Sequence, residues 1–212
     1  MTNAPVDVAA LIASLRSPRG RVIVVSGPSG VGKGTVIEAL LSAPDRPVRL
    51  RRCATATTRS PRPAERPGDS RLFLSRQEFE AGIRDGIFLE HVEYNGHLYG
   101  TPREPLERML DAGDDVLLEI EVRGGIEVRR ALPDAVLVFL LPPTWEDLER
   151  RLRGRRTDDV DQVRGRLEIA RQELLAAPEY DYAVVNDEPA RAASEIRAIV
   201  LAQRVRVRRR SE

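Results

Sequence analysis

The run Gly27-Pro28-Ser29-Gly30-Val31-Gly32-Lys33 has the spacing of a phosphate-binding loop, two glycines five residues apart with a lysine directly after the second. Glycines at 27, 30 and 32 permit tight turns and close approach of backbone to an anion. The loop amides then form an anion nest, to which the start of a helix adds partial positive charge. Lys33 supplies a mobile point charge for the β- and γ-phosphates of a nucleotide. It is also the sole lysine of the chain, against 33 arginines. A slim ammonium on a flexible stem can run alongside two phosphates where a planar guanidinium would not fit. The loop continues Gly34-Thr35, so the hydroxyl that usually follows the lysine stands one place later. Thr35 is one candidate for holding a metal there. Glu119 is another, as a carboxylate that could either serve Mg²⁺ or orient its neighbours.

The elements around this loop fit the role. Val22 to Val25 is a short β-branched run, apolar on both faces, as in a buried parallel strand. From Lys33 to Leu41, Val36, Ile37, Leu40 and Leu41 recur at helical spacing. Further buried strands are predicted over 115–121, 135–141 and 183–186. Helical patterns run over 103–112, 124–131, 144–153, 160–176 and 190–203. This alternation predicts an α/β fold with a mostly parallel sheet covered on both faces. Residues 55–101 differ, being loop-rich, with prolines at 61, 63 and 67 and short extended pieces near 71–74, 88–93 and 97–100. They read as a small inserted α+β subdomain over the sheet. Residues 1–19 form an N-terminal arm. The end of the chain, Arg204, Arg206, Arg208, Arg209 and Arg210 against Glu212, reads as a solvated basic tail.

Composition narrows the function. The 212 residues carry 34 basic and 33 acidic side chains, a net charge of +1, so the chain as a whole is no polyanion binder and nucleic acid is not an expected partner. The single Cys53 rules out a disulfide framework and a cysteine-built zinc site. Two histidines, His91 and His97, argue against a histidine-built metal site, and neither is assigned a role. No apolar stretch approaches the ~18 residues of a membrane span, and no basic signal-peptide region opens the chain. A cytoplasmic protein is expected.

From Thr57-Thr58-Arg59-Ser60-Pro61-Arg62 onward the sequence strongly resembles guanylate kinases. The likeness continues through Phe88-Leu89-Glu90-His91, Tyr99-Gly100-Thr101 and Leu118-Glu119-Ile120-Glu121. It ends with Arg151-Leu152-Arg153-Gly154-Arg155 and Val185-Asn186-Asp187. Each block is weak alone, but together, in family order over residues 20–203, they are specific. The resemblance implies a P-loop NTPase-type three-layer fold, with core at 20–54 and 102–203, a GMP-binding subdomain near 55–101 and a helical lid near 150–166. It implies ATP and GMP as substrates, Mg²⁺ as the accompanying metal, and GDP and ADP as products. dGMP would be a further acceptor.

The resemblance also assigns residues. ATP would be held by Gly27, Pro28, Ser29, Gly30, Val31, Gly32, Lys33, Gly34, Thr35 and Asn186. The GMP phosphate would be gripped by Arg59 and Arg62, whose forked guanidinium groups suit a terminal phosphate, with Tyr99 donating its hydroxyl. Glu90 would face the N–H donors of guanine, and Thr55 and Thr101 its O6. Glu121 stands near the base and the metal where many members have Asp. Lys33, Arg59, Arg151, Arg155 and Arg166 would neutralise the transferring phosphoryl group, while Arg150, Arg153 and Arg156 face solvent and Trp145 packs. No general base is expected, because the attacking phosphate oxygen is already anionic. Three departures from the family stand out: Arg71 where a phosphate-binding tyrosine is usual, Ala64-Glu65 for Gly-Glu, and Arg123-Gly124-Gly125 for Gln-Gly-Ala. Two other readings share the resemblance: a kinase for a ribose bisphosphate, and a non-catalytic binding module of the kind found in scaffold proteins. The guanine-reading set opposes the first, and Lys33 opposes the second.

Overall fold

The structure, a computed structural model, describes residues 18–44, 49–61, 65, 66, 68, 70–154 and 160–207, with 7, 8 and 15. Most of the N-terminal arm, Arg62, the lid segment 155–159 with Arg155 and Arg156, and the tail from 208 lie outside the described residues.

Two sheets organise the chain. The larger contains β1 (Val22–Ser26), β2 (Leu50–Arg52), β7 (Asp115–Glu119), β8 (Val136–Leu141) and β9 (Tyr182–Val185), in the order β2-β7-β1-β8-β9. Every pairing in it is parallel. The first strand is therefore central, and the chain leaves it for one edge and later crosses to the other. Ligands of open parallel sheets bind at such a switch point, outside the carboxyl ends of the strands, which is where the glycine loop lies.

The apolar runs of the sequence become two cores, sorted by strand periodicity. Ile23, Val25, Leu117, Val136, Val138 and Leu140 face one side. There they meet α1 (Lys33–Ser42), α5 (Trp145–Arg153), α6 (Val160–Leu174) and α7 (Pro189–Val205). Val22, Val24, Val116, Leu118 and Leu137 face the other, against α3 (Arg103–Asp111) and α4 (Val122–Ala131). A strand buried on both faces has no polar positions to alternate, so these strands read as continuous apolar runs.

The smaller sheet is mixed. β3 (Thr55–Thr57) and β4 (Arg71–Phe73) pair in parallel, β3 and β6 (His97–Pro102) antiparallel, and β6 and β5 (Phe88–Tyr94) antiparallel. Its own core is Ala56, Phe88, Leu98 and Phe79, the last from α2 (Arg76–Arg84). Phe79 and Phe88 stack with centroids 4.3 Å apart. Four elements go beyond the sequence reading: β2, β3, α2 and a single 3₁₀ turn at Ala177–Glu179. β2 and β3 have three residues each and carry arginines and threonines, so no apolar run announces them. α2 does carry a signal, a capping box in which Ser75 and Glu78 satisfy each other's backbone N–H groups. Arg204 is also placed differently. It belongs to α7 and pairs at 2.6 Å with Asp115, at the start of β7, instead of opening a solvated tail.

Leu117 is completely buried in the centre of the larger sheet, and truncating a leucine there leaves a cavity. Leu117→Ala is expected to lower unfolding stability by about 2–5 kcal/mol in urea titrations. A loss well under 1 kcal/mol would show that this sheet is not the principal core.

Candidate functional site

β1 delivers the chain into the loop at Gly27, whose φ of +147° only glycine adopts readily. A Cβ there would lie 2.4 Å from the Leu140 carbonyl oxygen, so the loop rests directly on β8. Gly32, at φ +96°, caps α1, and a Cβ on it would fall 2.6 Å from the side-chain nitrogen of Asn186. No side chain caps the start of α1, and no acidic residue sits in its first turn. Its end charge is thus left for an outside anion.

The cations are held close to this nest. Lys33 Nζ donates to the carbonyls of Gly27 (2.6 Å) and Pro28 (3.3 Å), folded back across its own loop. Arg151, from α5, donates to the carbonyls of Val31 and Asn186, both at 3.0 Å. Arg166, from α6, donates to Ser29 Oγ at 2.8 Å. Asn186, just after β9, donates its amide to the Val31 carbonyl at 2.7 Å, which leaves its buried Oδ1 without a partner. Four elements therefore converge on one loop.

Across from it lies a narrow cleft lined by Thr55, Arg71, Glu90, Tyr99, Glu121 and Gly124, among others. Glu90 is only 6% exposed. Its Oε1 accepts the Thr101 hydroxyl at 2.7 Å, while Oε2 is buried with no partner. Burial pushes its carboxyl up to about 7. A half-satisfied buried carboxylate is costly unless a donor arrives. Gly124 makes room for it, because a Cβ there would come within 3.1 Å of Glu90 Oε2. Arg71 Nη1 donates to Thr55 Oγ1 at 2.8 Å, so its guanidinium points into the cleft. Arg59 stands near Tyr99, forked onto Glu65 through contacts of 2.5 and 2.6 Å and lying over the Phe73 ring. The Ala64-Glu65 departure thus keeps its glutamate in a specific place: it orients the arginine.

Thr55, Arg71, Glu90, Tyr99, Thr101 and Glu121 therefore meet around one cleft, and Lys33, Arg151, Arg166 and Asn186 around the loop. Arg62 and Arg155 lie outside the described residues. The two metal candidates are less favourably placed. Glu119 is ion-paired with Arg52 of β2, which also contacts Glu38 at 2.5 Å, and Thr35 is exposed on α1. Among the described residues, no three His, Cys, Asp or Glu are grouped to hold a metal ion. Arg150 and Arg153 face solvent beside Asp147 and Glu149, and Arg171 lies over Trp145. Gly125, usually alanine by the family pattern, leaves room for the Tyr180 hydroxyl, which would lie 2.4 Å from a Cβ there and would have to shift. Cys53 is buried, its thiol pushed up to about 11, and is inert.

Sequence reasoning passed over Glu173 and Tyr94. Glu173 accepts the Ser29 N–H at 3.2 Å and, through burial, is pushed up to about 7. It lies two helical turns beyond Arg166, on the same face of α6, a spacing visible in the sequence. Tyr94 lies four residues beyond Glu90 on β5, hence on the same side of that strand.

A glycine loop ringed by cations at a parallel-sheet switch point, facing a second sheet with its own anion-binding and carboxylate groups, defines a P-loop phosphotransferase of the nucleoside monophosphate kinase class. The guanylate kinase family model matches residues 19–203. A guanylate kinase of Thermus thermophilus is 48% identical over 198 residues, covering 93% of this chain and 87% of the relative. One of Rubrobacter xylanophilus is 51% identical over 178 residues, covering 84% and 92%. The crystal structure of guanylate kinase from Anaplasma phagocytophilum superimposes with a TM-score of 0.74 at 30% identity, covering 89% of this chain and 88% of that one. The chain belongs to the guanylate kinase family.

Arg71 is the family departure that points into the cleft. Arg71→Ala is expected to raise the Kd for GMP about tenfold or more, the loss of one charge-assisted hydrogen bond, while the Kd for ATP stays within about twofold. Equal weakening of both, or of neither, by calorimetry would remove Arg71 from the acceptor site.

Proposed function

We propose that the chain transfers the γ-phosphoryl group of ATP to GMP, giving ADP and GDP, and that it does so by positioning and charge neutralisation. The observation that carries this reading is Glu90, a buried carboxylate with one oxygen unpartnered in a cleft facing the phosphate loop. Guanine offers N1–H and N2–H₂ as adjacent donors, whereas adenine offers an acceptor at N1. A carboxylate at this position therefore favours guanine, and the Thr101 hydroxyl bonded to Glu90 fixes its orientation. The proposed contacts read base and phosphate rather than the 2′ position, so dGMP is a second acceptor. Both substrates and products are soluble nucleotides, and the reaction belongs with cytoplasmic purine nucleotide recycling.

In the proposed mechanism, Arg59, Arg71 and Tyr99 grip the acceptor phosphate. Its second ionisation lies near pH 6, so its attacking oxygen needs no base. The loop amides and the start of α1 hold the donor phosphates. Lys33 leaves the carbonyls of Gly27 and Pro28 for those phosphates, an exchange of weak acceptors for anionic ones. Arg151 and Arg166, already seated on the loop, supply positive charge where charge develops during transfer. A single donor of this kind is worth about 10²–10³ in rate. A divalent cation, when bound, would supply charge neutralisation at the phosphates. Thr35 and Glu119 are the side chains that would help hold such an ion, Glu119 lying beside Gly34 at the start of α1 once released from Arg52.

ADP release measured with GMP, dGMP, AMP, UMP and CMP as acceptors tests the assignment. Turnover with GMP and dGMP, at least about 100-fold above AMP in kcat/KM, is expected from a site that hydrogen-bonds its substrate's N–H groups. No turnover with GMP would overturn it.

The acidity of Glu90 adds a pH signature. The ionised carboxylate is the form that accepts from guanine, and the free protein holds this group near 7. The KM for GMP is therefore expected to rise as pH falls from 8 to 6. In Glu90→Gln, KM should be higher throughout, with only the gentler dependence of the GMP phosphate itself remaining. An unchanged pH profile in the variant would show that Glu90 does not read the base. Because its folded-state value is raised to about 7, the stability that Glu90 allows at low pH is lost as pH rises above its ordinary value through about 7, and the full penalty stands at pH 8. The ligand-free variant is accordingly expected to melt no lower than the parent at pH 8.

A further inference from the structure

Alternation along β5 turns Glu90, Val92 and Tyr94 to the same side, and Glu90 and Val92 both line the acceptor cleft. Tyr94 continues this row toward the phosphate loop. Its ring stands edge-on to that of Tyr99, with centroids 6.3 Å apart and planes at 75°. Beyond Tyr99, its hydroxyl faces Ser29 and Glu173, with Glu121 and Arg166 within electrostatic reach. The hydroxyl oxygen is shielded from solvent yet has no hydrogen-bond partner among the described residues. The neighbouring groups already have partners: the Ser29 hydroxyl accepts from Arg166, and Glu173 accepts the Ser29 N–H.

An orphaned hydroxyl in such a place costs about 1–3 kcal/mol, and native proteins seldom leave one without a purpose. Burial and the nearby carboxylates hold the phenol well above its ordinary range, so at working pH it remains a neutral O–H donor. A neutral donor suits this position. It adds hydrogen-bonding capacity beside the arginines without further cation repulsion. The Ser29 hydroxyl and the Glu173 carboxylate lie near enough to interact with it, yet neither closes a full hydrogen bond. An anionic group passing between Tyr99 and Ser29 would provide a better-placed acceptor.

We propose that Tyr94 is a further catalytic residue, donating its hydroxyl hydrogen bond to the phosphoryl group in transit between the loop and the acceptor phosphate. No bond to Tyr94 forms or breaks, and its proton stays on the phenol. The inference rests on the reading above that Tyr99 marks the acceptor phosphate and the Ser29 loop the donor phosphates. It requires the small sheet to bring β5 up to the loop, as it does in this structure, so the donor is in place only when the two sheets are closed on each other.

Tyr94→Phe removes the hydroxyl and keeps the ring against Tyr99. With ATP and GMP, kcat is expected to fall about tenfold to a hundredfold, the scale of a lost transition-state donor. Both KM values and the melting temperature should stay close to those of the parent. Binding of aluminium fluoride to the protein with ADP and GMP, a mimic of the phosphoryl group in flight, should weaken at least about tenfold, while binding of GMP alone is unchanged. A kcat within twofold of the parent would overturn the proposal. A raised KM for GMP with unchanged kcat would also overturn it, showing that Tyr94 merely holds the acceptor sheet or substrate. Should the parent itself show no GMP turnover, this inference falls with the reading beneath it, whereas an active parent and an equally active variant would sink this inference alone.

Discussion

The loop after β1 concentrates unsatisfied positive potential on one spot, and the rest of the structure is arranged to tolerate it. At this loop α1 begins without an acidic cap, and Lys33 lies across it. Like charges held together repel, so each cation needs a temporary acceptor while no polyanion is bound. The protein supplies these from its own backbone: Gly27 and Pro28 for Lys33, and Val31 and Asn186 for Arg151. Arg166 has the Ser29 hydroxyl, and Glu173 places a carboxylate against the Ser29 amide. These are weak partners for strong donors, and a triphosphate can displace them at little cost. The same contacts tie α5, α6 and the end of β9 to the loop, so the nest is stiff before a ligand arrives.

The second cleft, the proposed acceptor side, is built on the opposite principle, as its charges are paired and its buried carboxylate is left short of a partner. Arg59 is forked onto Glu65 and Arg71 leans on Thr55, which sets their directions. Glu90 keeps one oxygen unpartnered at the bottom of the cleft. Its partial protonation in the empty protein relieves a buried charge, and the N–H groups of a guanine base would restore the ionised form. The structure thus stores its deficits in acceptors on one side and donors on the other, and nucleotides of the right kind repair both.

Much of this was legible in the amino acids. The central strands, Val22 to Val25, Val116 to Leu118 and Val136 to Leu140, announced themselves because burial on both faces leaves an unbroken apolar run. The loop was legible because glycine at 27 and 32 and lysine at 33 meet steric and electrostatic demands that few other residues can. Arg59, Glu90, Tyr99 and Thr101 were legible only as a family pattern. The apolar neighbours Phe88, Leu89 and Val92 already suggest partial burial of Glu90, but its near-complete burial comes from Gly124 of α4 packing against it. β2 and β3 escaped notice because three-residue strands held by neighbours need no periodicity of their own. The Arg52–Glu119 pair depends on β2 lying beside β7, a register that no local signal carries. Tyr94 and Glu173 were within reach, at strand and helix spacing from residues already singled out. Their meaning appeared only when β5 and α6 were seen to converge on Ser29.

The central claim is that the loop is shaped for one slim, mobile ammonium. Lys33→Arg keeps the charge and changes only the shape of the group that carries it, so the initial rate of GMP-dependent ADP formation, measured beside a melting curve, tests it directly. The account predicts a loss of at least about 10²-fold in turnover, the scale of a removed transition-state donor, at an essentially unchanged melting temperature. Near-normal turnover in that variant would contradict it.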